Sequence, residues 1–151
     1  MKSTLYRVIG LRSLLVFLSA AALWGCSGST GQETSHKFPV ASLNEMPAVV
    51  QSAPVTVQEG YQFAAANPQV LQQLPCYCGC GSMGHTSNYA CYISELDSAG
   101  KPTFDEHALG CSICVDITQD AMRLLDQDKS VAEIRTYIDQ TYAQYGPSNM
   151  P

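Results

Sequence analysis

The sequence predicts a mainly α-helical protein: a small bundle of short helices around a cysteine-rich turn, set behind a signal peptide and a flexible tether. Three observations carry this prediction. Apolar residues recur near helical spacing through "FDEHALGCSICVDITQDAMRLLDQD" and again through "SVAEIRTYIDQTYAQYG". No stretch alternates convincingly between apolar and polar residues as a half-buried strand does. "LPCYCGCGSMGH", residues 74–85, places three cysteines on alternate positions in a glycine-rich turn between helices.

The first dozen residues hold Lys2, Arg7 and Arg12 and no acid, and lead into the apolar run "LLVFLSAAALWG", which stops at Cys26. That run is too short to span a bilayer, where roughly 20 residues are needed, and has the proportions of a secretory h-region. "LWGC", Leu23 to Cys26, resembles the lipobox of bacterial lipoproteins, although Trp24 stands where a small residue is usual. Residues 1–25 therefore read as a lipoprotein signal peptide and Cys26 as the lipidated residue, palmitate among its acyl groups; an uncleaved anchor or a plain secretory signal is the alternative. Acyl chains contribute about 0.8 kcal/mol per buried methylene, so Cys26 would hold the chain to the cell membrane on an extracytoplasmic face. Residues 26–57, rich in Ser, Thr, Gly, Gln and Pro, read as a tether. His36 within it reads as a solvated side chain.

The folded domain is expected over residues 58–146, with 147–151 as a C-terminal tail. "QEGYQFAAAN" offers Tyr61, Phe63, Ala64 and Ala65 to one apolar patch on a short helix that ends by Asn67, because the residue before Pro68 is biased out of the helical region. Asn67 can cap a second short helix with Pro68 at its first position, burying Val70, Leu71 and Leu74. Leu109, Ile113, Ile117, Met122 and Leu125 mark the next helix. Ser130 with Glu133 three residues later forms a capping box for the last helix. Val131, Ile134, Ile138, Tyr142 and Tyr145 line its inner face, and Gly146-Pro147 ends it. A domain this small buries a modest core, so cross-links or metal would help it.

Charge narrows the function. Beyond the first dozen residues the chain carries five basic against thirteen acidic side chains, a net charge of -8. Such a surface repels phosphate backbones, and nucleic acid is excluded as a partner. Ser87 and Ser94 lie near His85 but lack a glycine-elbow context. The acids Asp105, Glu106, Asp116 and Asp120 read as helix-surface or helix-start charges. No catalytic residue is assigned, and the reading leans away from an enzyme.

With Cys26 assigned to anchoring, six cysteines remain: Cys76, Cys78 and Cys80 in the turn, Cys91 alone, and Cys111 and Cys114 as a CxxC. His85 and His107 each lie close to a cluster. On a continuous helix His107, Cys111 and Cys114 would fall within roughly 60° of one another. Tyr77 and Tyr92 flank cysteines and would shield the site.

"PCYCGC", followed by "GHTS", "CYI", "FDEHALGCSICVDI" and a closing "YIDQTYAQYG", resembles the family of bacterial lipoproteins named for its PCYCGC motif. The resemblance covers about residues 58–146 and implies lipidation and a shared cysteine site. "CSICVDITQDAMRLLDQDKSVAEIRTYIDQTYAQYG" is also similar to the CxxC-containing helical domain of the apocytochrome thiol reductases of cytochrome c maturation. Those proteins carry a longer insert after their CxxC and usually have Gly where this chain has Asp128.

Three readings of the thiols stay open. An exported chain could oxidise them into three disulfides and be a disulfide-stabilised structural lipoprotein, but cysteines one residue apart bridge each other only with strain. Cys111 and Cys114 could instead be the exchanging pair of a thiol-disulfide oxidoreductase, which wants its first cysteine at a helix N-terminus. The favoured reading is a metal site built from Cys76, Cys78, Cys80, His85, Cys91, His107, Cys111 and Cys114. Clustered thiolates suit Cu(I) first and Zn second, loaded or unloaded by a metal-exchange partner protein. Val115 rather than His follows "CSIC", so no c-type haem is expected. A domain on the order of 25–30 Å across cannot hold the clusters far apart, and the turn with His85 is expected to pack over Cys111 and Cys114 with sulfurs within about 8 Å.

Overall fold

The computed structural model describes residues 35–150, so the signal segment and Cys26 lie outside the described residues. Six α-helices are found there: α1 (Ala48–Gln51), α2 (Val55–Ala66), α3 (Pro68–Leu71), α4 (His107–Gly110), α5 (Ser112–Asp126) and α6 (Val131–Tyr142). Strands β1 (Ile93–Leu96) and β2 (Pro102–Phe104) form an antiparallel hairpin, and short 3-10 turns fill several connections.

Local chemistry sets the ends of these elements. Pro47 and Pro54 stand immediately before α1 and α2, and Pro68 takes the first position of α3, where its missing N–H costs nothing. The Ser130 hydroxyl accepts from the Glu133 N–H while the Glu133 carboxylate accepts from the Ser130 N–H, completing the capping box of α6. Beyond α5 the chain turns at Asp128, whose φ of 62° is left-handed. Glycine suits that conformation best and Asp tolerates it.

The core lies where α5 packs between α2 and α6. Tyr61 and Phe63 of α2, Leu71 of α3, Ile117 and Ala121 of α5, and Ile134 and Ile138 of α6 are all fully buried. Tyr142 joins them, but Tyr145 lies beyond the end of α6 and is exposed, so the inner stripe is one residue shorter than the period suggests.

Four expectations are corrected. The helical domain begins well before residue 58, because Met46 and Val50 are buried in the core and Phe38 packs edge-on against Phe63. Polar contacts fix the same segment: Gln62 Nε2 donates to the Ala41 carbonyl at 2.7 Å, and His36 Nδ1 lies 2.8 Å from Asp126 Oδ2. Of the expected tether, residues 35–57 are thus packed, and His36 is not a solvated side chain. Their apolar anchors fall singly on turns, leaving no period to read. Asn67 does not cap α3 with its side chain; its Nδ2 donates instead to the carbonyls of Phe63 at 3.0 Å and Pro39 at 2.8 Å. The mainly α-helical fold is as expected, but it includes a hairpin that the sequence does not announce, because β1 has one buried residue and three exposed ones, with a bulge between Ile93 and Glu95, so nothing alternates. Its turn is chemically clear: Asp97 Oδ1 accepts the N–H groups of Ala99 and Lys101 at 2.8 Å, and Gly100 has φ 81°. Finally, the expected tail packs against the cysteine turn, as described below.

Asn67 holds the N-terminal segment to the helices, so Asn67→Ala should destabilise the domain by about 0.5–1.5 kcal/mol through the lost bond to the Pro39 carbonyl, the Phe63 carbonyl keeping the backbone N–H of residue 67. Hydrogen exchange should rise at Ala41 and its neighbours. Denaturant unfolding and exchange mass spectrometry check this, and unchanged exchange there would show that the segment is held by other means.

Candidate metal centre

The turn after α3 is shaped by its glycines. Gly79 and Gly84, with φ of 85° and 91°, bracket the 3-10 turn Cys80–Met83, a left-handed conformation that side chains rarely adopt. Gly81 is needed for a different reason: a Cβ there would lie 3.3 Å from Asn149 Cβ. The chain therefore doubles back, and Cys76, Cys78 and Cys80 bring their sulfurs within 4.8 Å of one another.

The CxxC segment does not form one continuous helix. Cys111, with φ -120° and ψ 99°, interrupts it between α4 and α5 and becomes the residue before the first turn of α5. His107, Cys111 and Cys114 still converge, through a break rather than along one helix face, and with Cys78 their ligand atoms lie within 4.8 Å of one another. A second such group is Cys80, His85, Cys91 and His107, and a third is Cys76, Cys91 and Cys114. The structure thus brings together all eight of the expected residues.

The sulfurs are close but unbonded, all six being free thiols. Cys76 Sγ lies 3.3 Å from both Cys78 Sγ and Cys114 Sγ. Cys78 and Cys114 are 3.6 Å apart, as are Cys80 and Cys91, and His107 Nε2 lies 3.4 Å from Cys78 Sγ. Ligand atoms of a tetrahedral site with bonds near 2.3 Å are separated by about 3.8 Å. These separations already approach that figure. Cys76, Cys80, Cys91 and Cys114 form the buried floor, whereas Cys78, Cys111 and His107 are half-buried at the rim.

Proximity splits the thiols electrostatically. Hydrogen bonds from Cys114 and then Cys91 hold the Cys76 thiol far below the ordinary cysteine range. The same bond to Cys76, followed by one with Cys91 and by burial, pushes Cys114 up. Burial first and Cys76 second raise Cys78 and Cys80. Cys91 is raised as well: its bond with Cys114 pulls downward but is outweighed by Cys76 and burial. Cys76 is thus the thiol most easily ionised, and its proximity together with burial makes Cys78, Cys80, Cys91 and Cys114 harder to ionise. A bound cation offsets this by compensating the thiolates.

Sequence reading missed three residues that build this site. Asp105, read as a helix-start charge, accepts the His107 N–H at 2.8 Å and faces His85 Nε2 at 3.6 Å. With Nε2 turned to the carboxylate, His85 Nδ1 is buried without a hydrogen-bond partner among the described residues. A metal-ligating histidine commonly has its second nitrogen turned to a carboxylate; here the two groups face each other at a separation longer than a hydrogen bond. Asn149, assigned to the tail, accepts the Cys76 N–H at 2.7 Å and directs its Nδ2 at Cys80 Sγ at 3.5 Å. Asn88 donates to the Cys114 carbonyl at 3.3 Å. Only Asp105 had a sequence signal, its position two residues before His107. Tyr92, expected as a shield, is fully buried with its hydroxyl 3.0 Å from the Cys114 carbonyl, while Tyr77 turns its hydroxyl to Asp139 at 2.6 Å. Asp120, read as a helix charge, accepts from Arg123 Nη2 at 2.7 Å and from the Tyr142 hydroxyl at 2.8 Å.

Asn149→Ala should leave the buried Cys76 N–H unpaired, lower stability by about 1–3 kcal/mol, and speed alkylation of Cys80. Unfolding curves and thiol labelling read by mass spectrometry measure both, and unaltered labelling would show that the C-terminal segment does not cover the turn.

Among the described residues no helix is long and apolar enough to cross a membrane. No curated protein and no solved structure matches the chain. A family model does, over residues 15–151, and its match spans the cysteine turn, the CxxC and the closing helix alike. By that match the chain belongs to the family of proteins of unknown function with the PCYCGC motif.

Proposed function

We propose that this chain is a membrane-anchored extracytoplasmic protein that binds or delivers a soft metal ion, Cu(I) ahead of Zn. The observation that carries the reading is the convergence of six thiols and two imidazoles at separations of coordination size, with His85 Nδ1 buried and unpartnered among the described residues. Thiolate-rich donor sets suit Cu(I) and Zn. The anchoring half rests on the basic, apolar and "LWGC" layout ahead of Cys26. A metal-exchange protein is the partner such a site implies.

A second reading has its own support. Cys111 stands at the N-cap of α5 and is half-buried, with Cys114 buried three residues later, which is the placement an exchanging CxxC requires. A thiol-disulfide oxidoreductase would use those two residues and leave the other four thiols without a task.

Reduced protein should take up Cu(I) at a fixed stoichiometry, more weakly as pH falls because protons compete for the thiolates. The Cys78→Ser, Cys80→Ser double variant should lose most of that uptake. Metal analysis after anaerobic loading decides the matter, and undiminished uptake would overturn the assignment. The same variant separates the second reading, since an exchange reaction confined to Cys111 and Cys114 would survive in it. Cys26→Ser should shift the chain from the membrane fraction to the soluble one.

A further inference from the structure

We infer that the eight donors form two adjoining Cys3His compartments, each holding one soft d10 cation: an outer one that exchanges its ion and an inner one that retains it. This inference rests on the metal-binding reading and concerns how the site divides.

The division follows from the distances. Cys78, His107, Cys111 and Cys114 are mutually within 4.8 Å, and His107 Nε2 approaches Cys78 Sγ to 3.4 Å, which assigns that imidazole to this set. Cys80, Cys91 and His85 form the second mutual set together with His107; with His107 assigned to the first set, Cys76, within 4.8 Å of both Cys80 and Cys91, is the donor that completes the second. The eight donors are thereby used without remainder, three sulfurs and one nitrogen to each ion, a tetrahedral donor set of ordinary composition. A single tetrahedral ion would leave four of them idle. Cys76 Sγ, 3.3 Å from both Cys78 and Cys114, stands at the seam between the compartments.

Their surroundings are unequal. In the outer set Cys78, Cys111 and His107 are half-buried, and Cys111 also lines a surface recess of about 310 Å³ beside Pro54 and Val57. An incoming thiolate can reach that ion by first replacing Cys111. In the inner set all three cysteines are fully buried, the His85 side chain is 11% exposed, and Asp105 faces its Nε2 at 3.6 Å. Displacement there requires the turn to open. Asn149 resists this, bonded to the Cys76 N–H and close to Cys80 Sγ.

Cd2+ titration of the reduced chain, read by cadmium NMR and by release to a chelator, tests the inference. Two ions per chain, two resonances, and one fast and one slow release phase are expected. Cys111→Ser should lose one ion and the fast phase. His85→Gln should lose one ion and the slow phase, and far-UV circular dichroism of each variant controls for folding. A stoichiometry of one, or both variants abolishing the same phase, overturns the two-compartment division while leaving metal binding intact. No bound Cd2+ and no bound Cu(I) would overturn the metal reading itself and the division with it.

Discussion

The interaction on which the rest of the site depends is the buried hydrogen-bond network at the Cys114 carbonyl, which holds Cys114 against Cys76 so that their sulfurs meet at 3.3 Å although 38 residues separate them in sequence. That contact joins the turn after α3 to the first turn of α5. Such a meeting between two weakly hydrogen-bonding groups does not hold itself in place, and the structure shows what does. The Cys114 carbonyl accepts the Tyr92 hydroxyl at 3.0 Å, the Thr118 hydroxyl at 3.1 Å and the Asn88 amide at 3.3 Å. All three donors are buried. The Asn88 N–H in turn reaches the Leu74 carbonyl at 2.8 Å, so the loop carrying His85 and Cys91 is stitched to the end of α3 and to α5. A buried network this fully connected leaves few alternative arrangements, and the sulfurs are its passengers.

That rigidity has a consequence for the thiols. Four sulfurs are buried on the floor, and their mutual hydrogen bonds lower Cys76 while raising its neighbours. Apolar packing around α5 would not require this, since alanine or valine at the same positions would bury without any polar conflict. The chain instead gathers polarizable donors at coordination separations and supports them with Asp105, Asn149 and Asn88. A cation placed among them would compensate the thiolates that bind it, and its binding energy would add to the stability of the folded state.

The helices were legible in the sequence wherever local chemistry decides them. The box of Ser130 and Glu133 opens α6, Pro68 starts α3, and the inner stripe of α5 places Ile117 and Met122 in the core. The eight donors could be named because clustered cysteines with nearby histidines need no tertiary information to be noticed. What could not be read depends on contacts made from a distance. Asn67 is an ordinary capping residue in sequence, and only the approach of Pro39 turns its side chain elsewhere. Asn149 follows a glycine and a proline that announce the end of a helix, yet it closes the cysteine turn. The break at Cys111 had one local sign, Gly110 just before it, which is poorly suited to a helix interior and allows a new helix to start there.

The same arrangement sets metal binding and oxidation against each other. A disulfide between neighbours such as Cys76 and Cys78 would close a minimal loop and restrict the unfolded chain very little. A bond between Cys76 and Cys114 would close a loop spanning 38 residues and contribute about 4 kcal/mol in the chain-entropy model. It is the cross-link a small domain would gain most from. It would also take one sulfur from each proposed compartment, since Cys114 belongs to the outer set and Cys76 to the inner. Oxidation at this one contact therefore removes both donor sets together, whereas a cation in either set holds one of the two sulfurs as a bound thiolate, out of reach of its partner. The contact that the buried network fixes is thus also the point at which the metal-loaded and oxidised forms of the site exclude each other.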